Sequence, residues 1–175
     1  MKQNKVFYGW YIVAGCFLIL FAAFGIAYLS IGLYVNPICE EYQFLRGQFA
    51  ITMSLIGIFI GAGSFFAGVI FKKFGIKPSM AIGGTLIALG LLVMSFSQRL
   101  IYFYIAGSII GIGNALATNL PVCIIITNWF KEKKGFALGI ALSASGFGGI
   151  AFSPVVAYII DKYSYKISLL ISSLY

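Results

Sequence analysis

Six stretches of this 175-residue chain contain no Asp, Glu, Lys or Arg. They are Val6–Cys39 (34 residues), Gly47–Phe71 (25), Pro78–Gln98 (21), Leu100–Phe130 (31), Gly135–Ile160 (26) and Ile167–Tyr175 (9). A helix rises about 1.5 Å per residue and needs roughly 20 apolar residues to cross ~30 Å of hydrocarbon. Five of the stretches are long enough to cross. The sixth, about 13 Å as a helix, is not.

The composition agrees. Only 9% of the residues are charged and 61% are hydrophobic, whereas a soluble domain carries roughly 25% charged residues. A water-soluble globule is excluded. Transmembrane β-strands would read as alternating ten-residue segments, and no such alternation occurs. Helices remain, because backbone amides in lipid must be paired within the segment. The expected spans are 8–35, 48–71, 79–97, 101–128 and 136–160, with a stub over 167–175, all within one transmembrane unit, 1–175. The first span follows Lys2 and Lys5 as a signal peptide would. Its apolar run is too long and lacks a small-residue cleavage site, so it is read as uncleaved.

Five crossings place Lys2, Lys5, Lys72, Lys73, Lys77, Lys131, Lys133, Lys134 and Glu132 on one side, a net +7. Arg46, Arg99, Lys162, Lys166, Glu40, Glu41 and Asp161 fall on the other, a net +1. Lys and Arg in short loops stay on the cytoplasmic side, which predicts a cytoplasmic N-terminus. Aromatic residues flank several crossings, including Trp10, Tyr102 and Trp129, where interfacial anchors belong.

Several chemistries are excluded. The net charge of +8 is spread too thinly to track a phosphate backbone, so no nucleic acid is expected. The chain has no His, and its three Cys lack ligand spacing, so neither metal nor cofactor is expected. A membrane enzyme would need an intramembrane His, Asp or Glu or a nucleophile–base pair, and the expected spans carry none. The run Gly146-Phe147-Gly148-Gly149-Ile150-Ala151 fits a dinucleotide fingerprint, but that pattern has meaning only between a strand and a helix of a soluble unit.

Twenty-one glycines exceed the ordinary share of about 7%, and they form stripes. Gly57, Gly61, Ser64 and Gly68 share one face of the second span; Gly107, Gly111, Asn114 and Thr118 share one face of the fourth. The fifth carries Gly139, Ser143 and Gly146. Small residues at such steps let helices approach closely in lipid, so these glycines are expected to pack helix against helix. Asn114, Thr118, Ser143 and Tyr28, which shares a face with Gly25 and Gly32, are candidates for a substrate pathway. Interhelical hydrogen bonding, or simple packing for Tyr28, is the alternative.

Phe7-Tyr8-Gly9-Trp10, Asn36-Pro37 and Pro121, with Asn128-Trp129-Phe130-Lys131-Glu132-Lys133-Lys134-Gly135-Phe136-Ala137-Leu138-Gly139-Ile140, resemble the monocarboxylate and oxalate/formate porter branches of the major facilitator superfamily. Ser143 through Pro154 is similar to that family's fifth helix, and Tyr163-Ser164-Tyr165-Lys166 to its Y-G-W-R before the sixth. The loop Gly68-Val69-Ile70-Phe71-Lys72-Lys73-Phe74-Gly75-Ile76-Lys77 resembles the signature G-x-x-x-D-R-x-G-R-K. Lys72 stands at its acidic position and Ile76 at its second Arg.

The resemblance implies an all-α membrane protein, the N-terminal six-helix half-bundle of the major facilitator fold, with five complete transmembrane helices and a truncated sixth. It implies a cytoplasmic-gate loop of Gly68, Lys72, Lys73, Gly75 and Lys77. It implies a plasma-membrane porter of small organic anions such as monocarboxylates, whose partners are the bilayer and a C-terminal six-helix half. This half is expected to be inactive alone. The alternatives are a non-transporting membrane interaction protein or one half of a split transporter.

Overall fold

The computed structural model describes residues 9–24, 31–130, 133–162 and 165–174. Eight helices account for nearly all of them: α1 (Gly9–Phe24), α2 (Ile31–Tyr42), α3 (Arg46–Phe74), α4 (Ile76–Phe96), α5 (Leu100–Ala117), α6 (Asn119–Trp129), α7 (Lys134–Lys162) and α8 (Tyr165–Leu174). No strand occurs among the described residues. Four segments are long and apolar enough to cross a membrane: α3, α4, α5 with α6 taken together, and α7. The first expected span is described as the 16-residue α1 and the 12-residue α2.

Two boundaries differ from expectation. Asn36-Pro37 was expected to close the first span, yet α2 runs on to Tyr42 with Pro37 inside it. A proline inside a helix removes its own donor and crowds the carbonyl four residues back, a cost that burial of Ile38 and Cys39, just beyond it, offsets. The fourth span is not one continuous helix: the ladder stops after Thr118 N–H donates to Asn114 O (3.0 Å) and resumes where Val122 N–H donates to Thr118 O (3.4 Å). Pro121 has no N–H for the Ala117 carbonyl, which lies inside the gap.

The closest helix pair is α4 on α5. A Cβ built on Gly83 would lie 2.8 Å from the Ala117 Cβ, the Ala117 N and the Gly113 O. One on Gly113 would lie 2.8 Å from the Gly83 O. Glycine at both positions is what allows the two backbones to touch, and in lipid such contact replaces hydrophobic burial as the source of association.

Two main cores follow. Tyr34, Phe49, Ile56, Leu91, Met94, Phe103, Ile110 and Leu169 join α2, α3, α4, α5 and α8. Val13, Cys16 and Leu20 of α1 meet Val122, Ile126 and Phe130 of α6 and Ala137, Ala141 and Ala144 of α7. A third cluster, Ala67 and Phe71 with Leu116, Leu120 and Ile124, brings the end of α3 beside α6. Trp10 sits edge-on to Phe130 (5.5 Å) and Phe136 (6.2 Å), so the start of α1, the end of α6 and the start of α7 also meet. The α3–α4 and α6–α7 turns therefore share one end of the bundle, and that end carries Lys72, Lys73, Lys77, Lys133 and Lys134.

The opposite end is fastened by polar contacts. Lys166 Nζ donates to Glu41 Oε1 at 3.0 Å, Tyr165 OH to Tyr42 OH at 3.1 Å, and Ser95 Oγ to the Lys166 carbonyl at 3.1 Å. Tyr34 OH lies 2.9 Å from Ser168 Oγ. These contacts fix α8 to α2 and α4. Burial, then the Tyr42 hydroxyl, pushes the Tyr165 phenol well above its ordinary 10.0, and the Glu41 carboxylate raises Lys166.

Candidate functional site

The fourth crossing carries two buried polar side chains, Asn114 and Thr118, one turn apart. Its stripe begins against α3: a Cβ on Gly107 would lie 2.9 Å from Thr52 Cγ2, and one on Gly111 2.7 Å from the Ile56 O and Phe59 Cβ. One to two turns further, Asn114 is only 1% exposed and Thr118 4%. Asn114 Nδ2 donates to the Ile110 carbonyl at 3.0 Å, and Thr118 Oγ1 to the Asn114 carbonyl at 2.7 Å. Both are local bonds to the preceding turn, the habit of Ser, Thr and Asn in helices. Asn114 Oδ1 has no partner, and neither has Thr52 Oγ1. A buried acceptor without a donor costs on the order of 1–3 kcal/mol, so Asn114 is not explained as interhelical glue.

The break beside it adds to this polar character. Between the Thr118→Asn114 and Val122→Thr118 bonds, the carbonyls of Ala115, Leu116 and Ala117 receive no α-helical bond. Irregular backbone at membrane depth persists only inside protein or along a water-filled path.

The other expected site residues are dispersed. Ser143 is exposed on α7 and donates to the Ile140 carbonyl at 2.8 Å. Tyr28 lies outside the described residues. Gly75 caps α3, its N–H donating to Phe71 O at 3.0 Å, and begins α4 at φ +85°, ψ 161°. That conformation is open to glycine and strained for other residues. Gly68, Lys72, Lys73 and Lys77 are exposed around it.

The packing stripes do not all pack. Gly107 and Gly111 touch α3, but a Cβ on Gly57, Gly61, Gly68, Gly139 or Gly146 would meet nothing within 4 Å. These five face outward, and on α7 the stripe floors a groove of about 540 Å³ lined by Gly135, Phe136, Gly139, Ile140 and Ser143. The spacing expectation missed a second face of α5, the small Ala106, Gly113 and Ala117 with Ile110 among them, which meets Gly83 and Gly90 of α4. Its 4-3-4 steps were as visible as the first. A second pocket, about 420 Å³, opens at the acidic end between α2 and α7, beside Asn36, Glu40 and Asp161.

These features define an α-helical, multi-pass membrane protein with a polar break in one crossing and small-residue faces left outward. Residues 8–174 match the Major Facilitator Superfamily, and the chain belongs to that family. It is 29% identical over 165 residues to monocarboxylate transporter 12 of Rattus norvegicus, covering 94% of this chain and 34% of that protein. It is 29% identical over 168 residues to monocarboxylate transporter 13 of Bos taurus, covering 95% and 39%. For monocarboxylate transporter 12-B of Danio rerio the figures are 30% over 165 residues, covering 94% and 34%. The chain thus spans between a third and two fifths of the length of these relatives.

Proposed function

We propose that these residues form the N-terminal half of a secondary transporter for small organic anions such as monocarboxylates, and not an enzyme. The half sits in the plasma membrane with its N-terminus cytoplasmic. It closes against a second six-helix half, and it moves no solute alone. The observation that carries this reading is the pair of outward small-residue faces, Gly57-Gly61-Gly68 on α3 and Gly139-Ser143-Gly146 on α7. In lipid such faces favour close helix approach, and here they meet no helix of the described chain. Names of the similar proteins support the substrate class.

The chemistry agrees. None of the expected spans carries an Asp, Glu, Lys or Arg, and a carboxylate in an apolar interior needs a positive partner. That partner comes from the second half. Asn114, Thr118, Ser143 and Tyr28 line this half's share of the pathway. The loop of Gly68, Lys72, Lys73, Gly75 and Lys77 forms this half's part of the cytoplasmic gate.

The test is uptake of a radiolabelled monocarboxylate into proteoliposomes. The chain alone should match empty vesicles, and the chain joined to the C-terminal six helices of a similar transporter should not. Gly61→Leu and Gly139→Leu should abolish uptake by the joined protein while leaving this half folded. Uptake by the 175 residues alone would sink the proposal.

A further inference from the structure

The exposed surface of α3 divides lengthwise. At about 100° per residue, Gly57, Gly61, Gly68 and Lys72 fall within an arc of roughly 60°. The next arc, roughly 80° wide, carries Ile58, Phe66, Val69 and Lys73. The first arc is the small-residue face already described. The second is bulky and apolar, with Ile58 63% exposed, Phe66 61% and Val69 66%, and it ends on a lysine. Close helix approach suits the first face; acyl chains suit the second.

Charge separates along the bundle as sharply as side-chain size divides α3. Lys72, Lys73, Lys77, Lys133 and Lys134 are exposed at one end, and none pairs with a carboxylate among the described residues. The described acidic residues, Glu40, Glu41 and Asp161, all lie at the other end. In sequence, Lys131 and Glu132, which lie outside the described residues, carry one charge of each sign. Lys73 Nζ stands 5.5 Å from the Phe74 ring centroid, and Phe74 is 58% exposed. Lys73 follows Val69 by four residues, about 6 Å of helix. The ammonium is therefore carried just beyond the apolar band, at headgroup depth. Gly75 turns the chain so that Lys77 opens α4 beside it.

We propose that Lys73 and Lys77, with Phe66, Val69 and Phe74, form a docking surface for the headgroup of an anionic phospholipid, its acyl chain lying on the bulky face of α3. The partner is identified by charge complementarity: two unpaired ammonium groups at headgroup depth above an apolar face fit a phosphodiester with net negative charge. A zwitterionic lipid offers the same acyl chain without that attraction.

The chain carries its own reporters. Both of its tryptophans, Trp10 and Trp129, stand at the lysine end, where brominated lipids quench them on contact. The 175-residue chain is reconstituted in phosphatidylcholine vesicles containing brominated phosphatidylglycerol or, in parallel, brominated phosphatidylcholine. Quenching should show a severalfold preference for the anionic lipid at low salt. The preference should collapse near 1 M NaCl, where the screening length falls to about 3 Å. K73A/K77A should lower it by threefold or more, from a contribution of up to about fivefold per lysine. K73R/K77R should retain it, and R46A, at the far end of α3, should leave it unchanged. Equal quenching by the two lipids, a preference that survives high salt, or a K73A/K77A variant that keeps it overturns the proposal. A loss in R46A as large as in K73A/K77A does so too, because net charge alone would then explain the effect.

Discussion

Gly83→Ala and Gly84→Ala place the same methyl group on adjacent residues of α4 with opposite surroundings. At Gly83 the new carbon would sit 2.8 Å from three atoms of α5, two of them backbone, whereas at Gly84 it would meet nothing within 4 Å. Ordinary carbon contacts begin near 3.5 Å, so α4 must retreat from α5 by roughly 0.7 Å, and no side-chain rotation relieves a clash with backbone. Overpacking of this kind costs about 1–3 kcal/mol. Both variants share any gain from replacing glycine in a helix, up to ~1 kcal/mol, so their difference isolates the packing. Reversible unfolding in increasing SDS mole fraction, followed by circular dichroism, measures it. A difference of 1–3 kcal/mol is a factor of roughly 5 to 150 in the unfolding constant, with Gly83→Ala the weaker protein. Equal midpoints for the two variants would refute the claim that backbone contact between α4 and α5 holds this part of the bundle.

Three further expectations use the same assay. Gly75→Ala should lose about 1–3 kcal/mol, because the backbone at φ +85°, ψ 161° is strained for any side chain, while Gly68→Ala should lose nothing in this half alone. Asn114→Leu should be neutral or stabilising by up to about 1–3 kcal/mol, since it removes a buried acceptor that has no donor; the same change should abolish uptake by the joined transporter. The Tyr165 phenol and the Lys166 ammonium both hold their protons more tightly when folded, so their contribution is complete below the ordinary tyrosine value of 10.0 and is lost as pH rises beyond it. The melting temperature should stay level from pH 7 to 9 and fall above about 10, and Tyr165→Phe should make that fall shallower.

Much of the architecture is legible in the sequence because a charge inside hydrocarbon is costly: lysines and acids mark the turns. The 79–97 span lies within three residues of Ile76–Phe96 at either end, and 136–160 within two of Lys134–Lys162. The interruption at Thr118 was not legible. Pro121 announces a disturbance, but a proline permits either a kinked continuous helix or a stop, and hydropathy is the same for both. The stripes show a deeper ambiguity. Gly107-Gly111 and Gly57-Gly61-Gly68 have similar spacing, yet the first pair touches Thr52 and Ile56 while the second set faces outward. Spacing tells which residues share a face; it does not tell which face has a neighbour. Asn114 was recognisable as a polar residue in an apolar helix, but its unpartnered oxygen depends on what surrounds it.

The gap in the ladder at Thr118 also governs how motion passes through the molecule. α5 is gripped by α3 and α4, whereas α6 is gripped by α1 and α7 and touches only the end of α3. An unbroken rod would force both grips to tilt together. Here the two lengths meet at Thr118, and no backbone hydrogen bond runs directly from α6 to α5. A tilt of one length is therefore not handed to the other through a continuous hydrogen-bond ladder.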